Sequence, residues 1–133
     1  MRDGLTIGRL AKAVGVNVET IRYYQRRGLI AEPQKPLGGH RRYSAKVIEQ
    51  IGFIRRAQQL GFSLDDAKQL LAMADGTQCR EARLMAEKKH ELIEVQIARL
   101  EKMRDELEAL ITACRANRSR TSCPLIHALK QGV

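Results

Sequence analysis

The sequence predicts an all-α, mainly helical protein: a winged helix-turn-helix head with a small β-wing, followed by a long dimerisation helix that forms an antiparallel coiled coil. The head is indicated by short segments of helical periodicity that end at Gly15, Gly28 and Gly61. The long helix is indicated by the stretch between Thr77 and Cys123, which contains neither glycine nor proline and repeats apolar residues every seven positions.

The first two predicted helices form the helix-turn-helix. Thr6 can cap the first helix, which stops at Gly15 because glycine commonly occupies the position just past a helix end. Asn17 can cap the second helix, which covers residues 18–27 and stops at Gly28. Many helical proteins contain such a corner, so the spacing alone does not identify a binding motif.

A wing is predicted after the second helix. Residues 29–31 are apolar, residues 33–39 form a loop marked by proline and glycine, and residues 40–43 return as a basic segment. This order is typical of a small β-hairpin.

Two further helices complete the head. Ser44 can cap a third helix that runs to about Leu60, and Ser63 with Asp66 resembles a capping box that opens a fourth. Residues 75–76, Asp-Gly, then break the helix. The residues of the third helix expected to face inward are Val47, Ile48, Ile51, Ile54 and Leu60.

The long helix should be capped near Thr77 and end near Asn117. An intermolecular coiled coil is the natural use of its apolar stripe, the alternative being that the stripe packs against its own head. Cys123 can cap a short final helix with Pro124 at its first position. The stripe contains Ala86, Ile93, Leu100, Leu107 and Cys114, with Ile97 and Ile111 on a companion seam that His90 and Arg104 interrupt.

Three regions follow from this pattern. Residues 1–76 are expected to form the winged helix-turn-helix head with its connecting helices, residues 77–117 the dimerisation helix, and residues 118–133 a loop with a short helix, whose expected roles in binding DNA and metal depend on the charges and cysteines described below. No apolar run reaches the roughly 20 residues of a membrane span, and the N-terminus lacks a signal-peptide pattern, so we expect a cytoplasmic protein. In that reducing compartment three unpaired cysteines are expected to be free thiols, whether functional or inert.

The positive charge is concentrated in the head. Residues 1–62 contain 12 Lys and Arg against 4 Asp and Glu, a net charge of +8, whereas residues 63–133 contain 12 against 11, a net charge of +1. So basic a head suits a polyanion, and double-stranded DNA is the expected partner, although a solvated basic face is the alternative. No glycine-rich phosphate loop, H-E-x-x-H or G-x-S-x-G motif is present, so we do not expect an enzyme.

The predicted DNA contacts lie on the second helix and the wing. Arg22 and Tyr23 share the outer face of the helix and are spaced to meet a groove and its phosphate edge. Arg41 and Arg42 would reach neighbouring phosphates or the minor groove, and His40 is a further phosphate contact. The full predicted set is Arg22, Tyr23, His40, Arg41, Arg42 and Tyr43.

The cysteines point to a dimer. If residues 79–114 are helical, Cys79 and Cys114 lie about 50 Å apart in one chain at about 1.5 Å per residue. Two antiparallel chains would bring Cys79 of one subunit to Cys114 and Cys123 of the other. The spacing therefore predicts a thiolate site across a homodimer interface.

Several motifs together resemble the MerR family of bacterial transcriptional regulators. The resemblance implies an antiparallel coiled-coil dimer that binds promoter DNA, acts with RNA polymerase, represses without its effector, and distorts and untwists DNA when the effector binds. It covers nearly the whole chain. The motifs are residues 6–11 (TIGRLA), 19–24 (ETIRYY), 28–29 (GL), 41–43 (RRY) and 60–64 (LGFSL).

Within that family the three cysteines imply a metal effector. Their pattern resembles that of mercury-responsive members, so Hg(II) is the expected effector, with lead as the main competitor. Zinc-responsive members carry a second cysteine where Arg115 stands, and copper-responsive members lack Cys79. Three thiolates suit a soft ion better than structural zinc, which prefers four ligands, although His127 could supply a fourth. A thiol redox sensor and a zinc-stabilised coiled-coil interaction protein are the remaining alternatives.

Overall fold

The structure is a computed structural model that describes residues 4–34, 39–118 and 122–132. Within these residues the prediction of a mainly helical chain with one long helix is confirmed. No described helix is long and apolar enough to cross a membrane. The chain divides into two compact units, Met1–Ala86 and Glu87–Val133. The helices are α1 (Ile7–Val14), α2 (Val18–Arg26), α3 (Ala45–Gln59), α4 (Leu64–Ala72), α5 (Cys79–Ala116) and α6 (Pro124–Gln131).

The helix-turn-helix begins and ends where its capping residues predict. Thr6 Oγ1 accepts a hydrogen bond from the backbone N–H of Arg9 at 3.3 Å, and Asn17 Oδ1 accepts from Thr20 at 2.8 Å. Gly15 ends α1 with a φ of 74°, a left-handed conformation that glycine adopts without steric cost. The predictions for both helices are confirmed to within one residue.

The core of the first unit lies where α1 packs on α2 and α3, and α3 packs on α4. Leu10, Ile21, Ile51 and Ile54 are its largest fully buried side chains. The prediction that Leu60 faces the core is wrong. Leu60 is 66% exposed, because it lies at the C-cap, beyond the last turn of α3.

Helix α4 opens with the predicted capping box. The Ser63 side chain accepts from the backbone N–H of Asp66 at 3.0 Å, and the Asp66 carboxylate accepts from the N–H of Ser63 at 3.3 Å. Two of the N–H groups that lack intrahelical partners at this helix start are therefore hydrogen-bonded.

The wing differs from the predicted hairpin. Tyr43 pairs with Leu5 in an isolated antiparallel bridge, with N···O distances of 2.8 and 2.9 Å, and the described residues contain no longer strand. Leu29 and Ile30 are both buried in the core, which does not fit a strand with alternating faces. Residues 35–38 of the predicted loop lie outside the described residues.

Helix α5 is continuous over 38 residues and none of its side chains is buried. It begins two residues after Thr77, whose hydroxyl donates to Asp75 Oδ1 at 2.9 Å, so Thr77 belongs to the preceding turn. In the second unit, Cys123 occupies the N-cap of α6 and Pro124 its first turn, as predicted.

Candidate functional site

Helix α2 presents a polar, basic face. Its buried side is formed by Ile21 and Tyr24, so Arg22 and Tyr23 on the opposite side are exposed. Arg22 Nε lies 3.8 Å from Glu19 Oε2, a solvent-exposed pair that leaves the guanidinium accessible. This face can approach a DNA groove without disturbing the core.

A groove of about 400 Å³ separates this face from the wing. Its lining includes Arg22 from α2 and both His40 and Arg41 from the wing. Four of the predicted DNA contacts, Arg22, His40, Arg41 and Tyr43, therefore line one groove, although Arg22 is 18 or more positions from the other three in the sequence.

The wing arginines are held by neighbouring backbone oxygens. Arg41 Nε donates to Pro33 O at 3.0 Å and lies 3.4 Å from Glu32 Oε2. Arg42 Nη1 donates to Gly4 O at 3.5 Å, and a Cβ on Gly4 would lie 2.8 Å from Arg42 Cβ. Both arginine side chains remain exposed, so their free N–H groups can meet phosphates.

Tyr43 is placed differently from the prediction. The residue is 2% exposed, and its hydroxyl accepts a hydrogen bond from Gln25 Nε2 at 2.6 Å. Tyr43 is part of the groove lining, but its burial leaves little of the side chain for a DNA contact. Tyr43 instead joins the wing to α2 through Gln25.

Arg27 was not among the predicted site residues. Its Nη1 donates to Tyr23 Oη at 2.9 Å, and its Nη2 donates to Asp65 Oδ1 at 2.8 Å. These bonds, first that to Tyr23 and then that to Asp65, raise the pKa of Arg27 above its ordinary value. The sequence carries no signal for this arrangement, because Arg27 and Asp65 are 38 positions apart.

The second unit brings together two of the three predicted metal ligands. Cys114 Sγ and Cys123 Sγ lie 3.9 Å apart, and both are free thiols. Asn117 Nδ2 donates to Ser122 O at 2.6 Å, which ties the segment after α5 to the start of α6. Two sulfurs bound to one metal at about 2.3 Å and an angle of about 110–120° would lie about 3.8–4.0 Å apart, so the pair fits a shared ion.

The position of Cys123 at the start of α6 favours ionisation of its thiol. Its pKa is lowered from the ordinary value, mainly because the backbone N–H of Ile126 in the first turn of α6 interacts with the sulfur. Desolvation is the second-largest effect and opposes this shift, while Cys114 and the N–H of Leu125 lower the pKa by smaller amounts. No full cap hydrogen bond forms, so the sulfur stays available as a ligand.

Cys79 is exposed at the first residue of α5, at the opposite end of that helix from Cys114. Among the residues that the structure describes, no three metal-binding side chains of one chain converge. His127 lies in α6 and is exposed. Its backbone N–H donates to Cys123 O at 2.8 Å.

Comparison with known proteins identifies the family. The pattern described as MerR HTH family regulatory protein matches residues 5–74, and that described as MerR, DNA binding matches residues 48–110. The mercuric resistance operon regulatory protein of Pseudomonas fluorescens is 49% identical over 130 residues, which cover 98% of this chain and 90% of that protein. The protein of the same description from Shigella flexneri is 48% identical over 128 residues, covering 96% and 89%.

Solved structures agree with the sequence comparison. The crystal structure of the transcription regulator PbrR691 from Ralstonia metallidurans CH34 in complex with lead(II) has a TM-score of 0.78 and 28% identity. The match covers 94% of this chain and 98% of that one. Because a family pattern covers more than half of the sequence and relatives are almost half identical along nearly its whole length, the chain belongs to the MerR family of helix-turn-helix regulatory proteins.

Proposed function

We propose that this regulator responds to Hg(II) and controls a mercury resistance operon. As a homodimer it represses the promoter without metal, and with Hg(II) bound it distorts and untwists the DNA so that RNA polymerase starts transcription. In this proposal residues 1–76 bind DNA, residues 77–117 dimerise, and residues 118–133 complete the metal site.

The Cys114–Cys123 pair is the observation that carries the proposal. A 3.9 Å separation of two sulfurs provides two soft ligands in one unit, one of them on a thiol with a lowered pKa. Metals bind the thiolate rather than the thiol, so easier ionisation favours binding near neutral pH. Sulfur ligands select soft ions, and a 49% identical relative is described as a mercuric resistance operon regulatory protein.

Cys79 of a second chain is the proposed third ligand. The exposed apolar residues of α5 support the dimer this requires, since large exposed apolar patches mark interaction surfaces. Ile97, Leu100, Leu107 and Ile111 are each more than two-fifths exposed and recur near the heptad spacing. In an antiparallel pair of such helices, the start of one α5 meets the end of the other.

The basic groove between α2 and the wing is the proposed DNA contact. Arg22 and Tyr23 meet a groove and its edge, while His40, Arg41 and Arg42 meet phosphates. Two heads in a symmetric dimer would read two half-sites. Distorting a short site costs on the order of 1–6 kcal/mol, which phosphate contacts can offset.

In vitro transcription with a panel of metals tests the proposal. The template carries the promoter region next to the chain's own gene, and Hg(II), Pb(II), Cd(II) and Zn(II) are compared under reducing conditions. We expect activation by Hg(II) at the lowest concentration. Cys123→Ser, which replaces sulfur by oxygen at the N-cap, should still bind the promoter but should not activate it.

A lead-responsive regulator is the second candidate, because the similar structure of PbrR691 is a lead(II) complex. Equal responses to lead and mercury would refute the mercury assignment.

Activation by peroxide without any metal response would instead favour a redox sensor, since Cys114 and Cys123 are close enough to form a disulfide after a small movement. A dominant zinc response that His127→Ala abolishes would make His127 a fourth ligand.

A further inference from the structure

We propose that Arg27 and Asp65 are positioning residues that hold Tyr23 in the orientation in which its hydroxyl binds a DNA phosphate. The inference rests on the proposed DNA-binding function and adds two residues to it. It assigns to α4 a direct role in shaping the DNA-contact face of α2.

The hydrogen-bond directions support this role. Tyr23 Oη accepts from Arg27 Nη1 at 2.9 Å, so the hydroxyl proton is left to donate to another acceptor. A phosphate oxygen is such an acceptor, and a cationic donor on the hydroxyl oxygen strengthens the bond that the hydroxyl donates. The guanidinium carbons of Arg26 and Arg27 also lie 5.8 and 5.7 Å from the centre of the Tyr23 ring. The ring is therefore restrained by cations as well as through its hydroxyl.

Asp65 is the second hydrogen-bond partner of Arg27. It lies in the first turn of α4, next to the capping box formed by Ser63 and Asp66, where a carboxylate is favoured by the helix dipole. Arg27 Nη2 donates to Asp65 Oδ1 at 2.8 Å. Without this carboxylate the long Arg27 side chain would regain rotational freedom, and the Tyr23 hydroxyl would lose its fixed partner.

The ion pair itself adds little to folding, because the Asp65 side chain is 78% exposed and that of Arg27 is 39% exposed. Asp65→Asn should therefore leave the head folded. By net charge alone, removing a carboxylate from the head would tighten binding to the DNA polyanion. A positioning role instead predicts that Asp65→Asn weakens binding to DNA.

The test measures affinity for a duplex that the wild-type protein selects from a random-sequence pool. Glu49→Gln is the matched control, because Glu49 is an exposed glutamate of α3 and its loss changes the net charge equally. We expect Asp65→Asn to bind about three- to tenfold more weakly than Glu49→Gln, because a neutral amide oxygen accepts a weaker hydrogen bond from Arg27 than the carboxylate does. Binding as tight as that of the control, or tighter, would overturn the proposal.

A double-mutant cycle separates positioning from general disturbance. In a Tyr23→Phe background, which lacks the hydroxyl, Asp65→Asn should cause no further loss of affinity. An equal loss in both backgrounds would overturn the proposal. If Asp65→Asn unfolds at a lower temperature than the control, Arg27→Lys replaces it in the same measurements. Lysine keeps the positive charge but lacks the two guanidinium nitrogens through which Arg27 binds both Tyr23 and Asp65. If the wild-type protein selects no duplex, the DNA-binding function itself is refuted. If the wild-type protein binds normally but Asp65→Asn causes the same loss of affinity with and without the Tyr23 hydroxyl, only this inference is refuted.

Discussion

The proposed metal site predicts that two inactive variants restore each other. Cys79→Ala removes the sulfur at the start of α5, and Cys114→Ala removes one at its end. Along one helix these positions are about 50 Å apart, so a complete site needs sulfurs from two chains. In a mixed dimer, one of the two sites lacks both Cys79 and Cys114 and keeps only Cys123. The other site takes Cys79 from the Cys114→Ala subunit and Cys114 and Cys123 from the Cys79→Ala subunit, so it is complete.

The expected recovery follows from the symmetry of the dimer. If subunits reassort at random, half of the dimers in an equal mixture are mixed, and each mixed dimer carries one complete site instead of two. The mixture should therefore recover roughly a quarter of the wild-type capacity for tightly bound metal.

The number of tight sites can be measured by titrating the protein with Hg(II) and recording the thiolate-to-mercury absorbance. An excess of a competing monothiol is present, which removes metal from incomplete sites. Mixing Cys114→Ala with Cys123→Ala is the matched control, because both mutations remove sulfurs from the same end and no mixed dimer regains a complete site. Recovery in the control, or none in the first mixture when mixed dimers are shown to form, would refute the cross-subunit site.

Three other predictions concern the head and the thiol pair. Ser63→Ala should lower the free energy of unfolding by about 1 kcal/mol through loss of the α4 cap, measured by urea denaturation, and a loss below about 0.3 kcal/mol would contradict the capping role. Arg22→Gln should reduce the slope of log affinity against log salt by about one, and an unchanged slope would argue against a phosphate contact. Because the Cys123 pKa is lowered in the fold, its thiolate contribution to stability is present above the unfolded pKa and is lost as pH falls through the folded pKa. The rate at which Cys123 is alkylated can be measured against pH by peptide mass spectrometry. In the folded protein this rate should reach half its maximum at a lower pH than in the urea-unfolded chain. Identical pH profiles in the two states would contradict the lowered pKa of Cys123.

Much of the fold was predictable because its signals are local. Thr6, Asn17 and Ser63 satisfy backbone N–H groups within three residues of themselves, so the starts of α1, α2 and α4 depend on short segments alone. Leu60 is an exception, because helical periodicity predicts an inward position for it but α3 ends one residue earlier, at Gln59.

The candidate site was predictable in its residue types but less so in its arrangement. Arg22 and Arg41 were expected from charge and helical spacing, but their common groove depends on the path of the wing across the head. The burial of Tyr43 is not predictable from neighbouring residues, because its partners Gln25 and Leu5 lie 18 and 38 positions away in the sequence.

The sequence by itself determined the helical order, the basic head, the long uninterrupted helix and the presence of three free thiols, since each depends on composition or on neighbours within a few residues. Only the tertiary structure decided that Cys114 and Cys123 lie 3.9 Å apart, that Tyr43 pairs with Leu5, and that Arg27 joins Tyr23 to Asp65. Pairings of this kind depend on how helices and turns pack in three dimensions, and no local periodicity or capping preference encodes them.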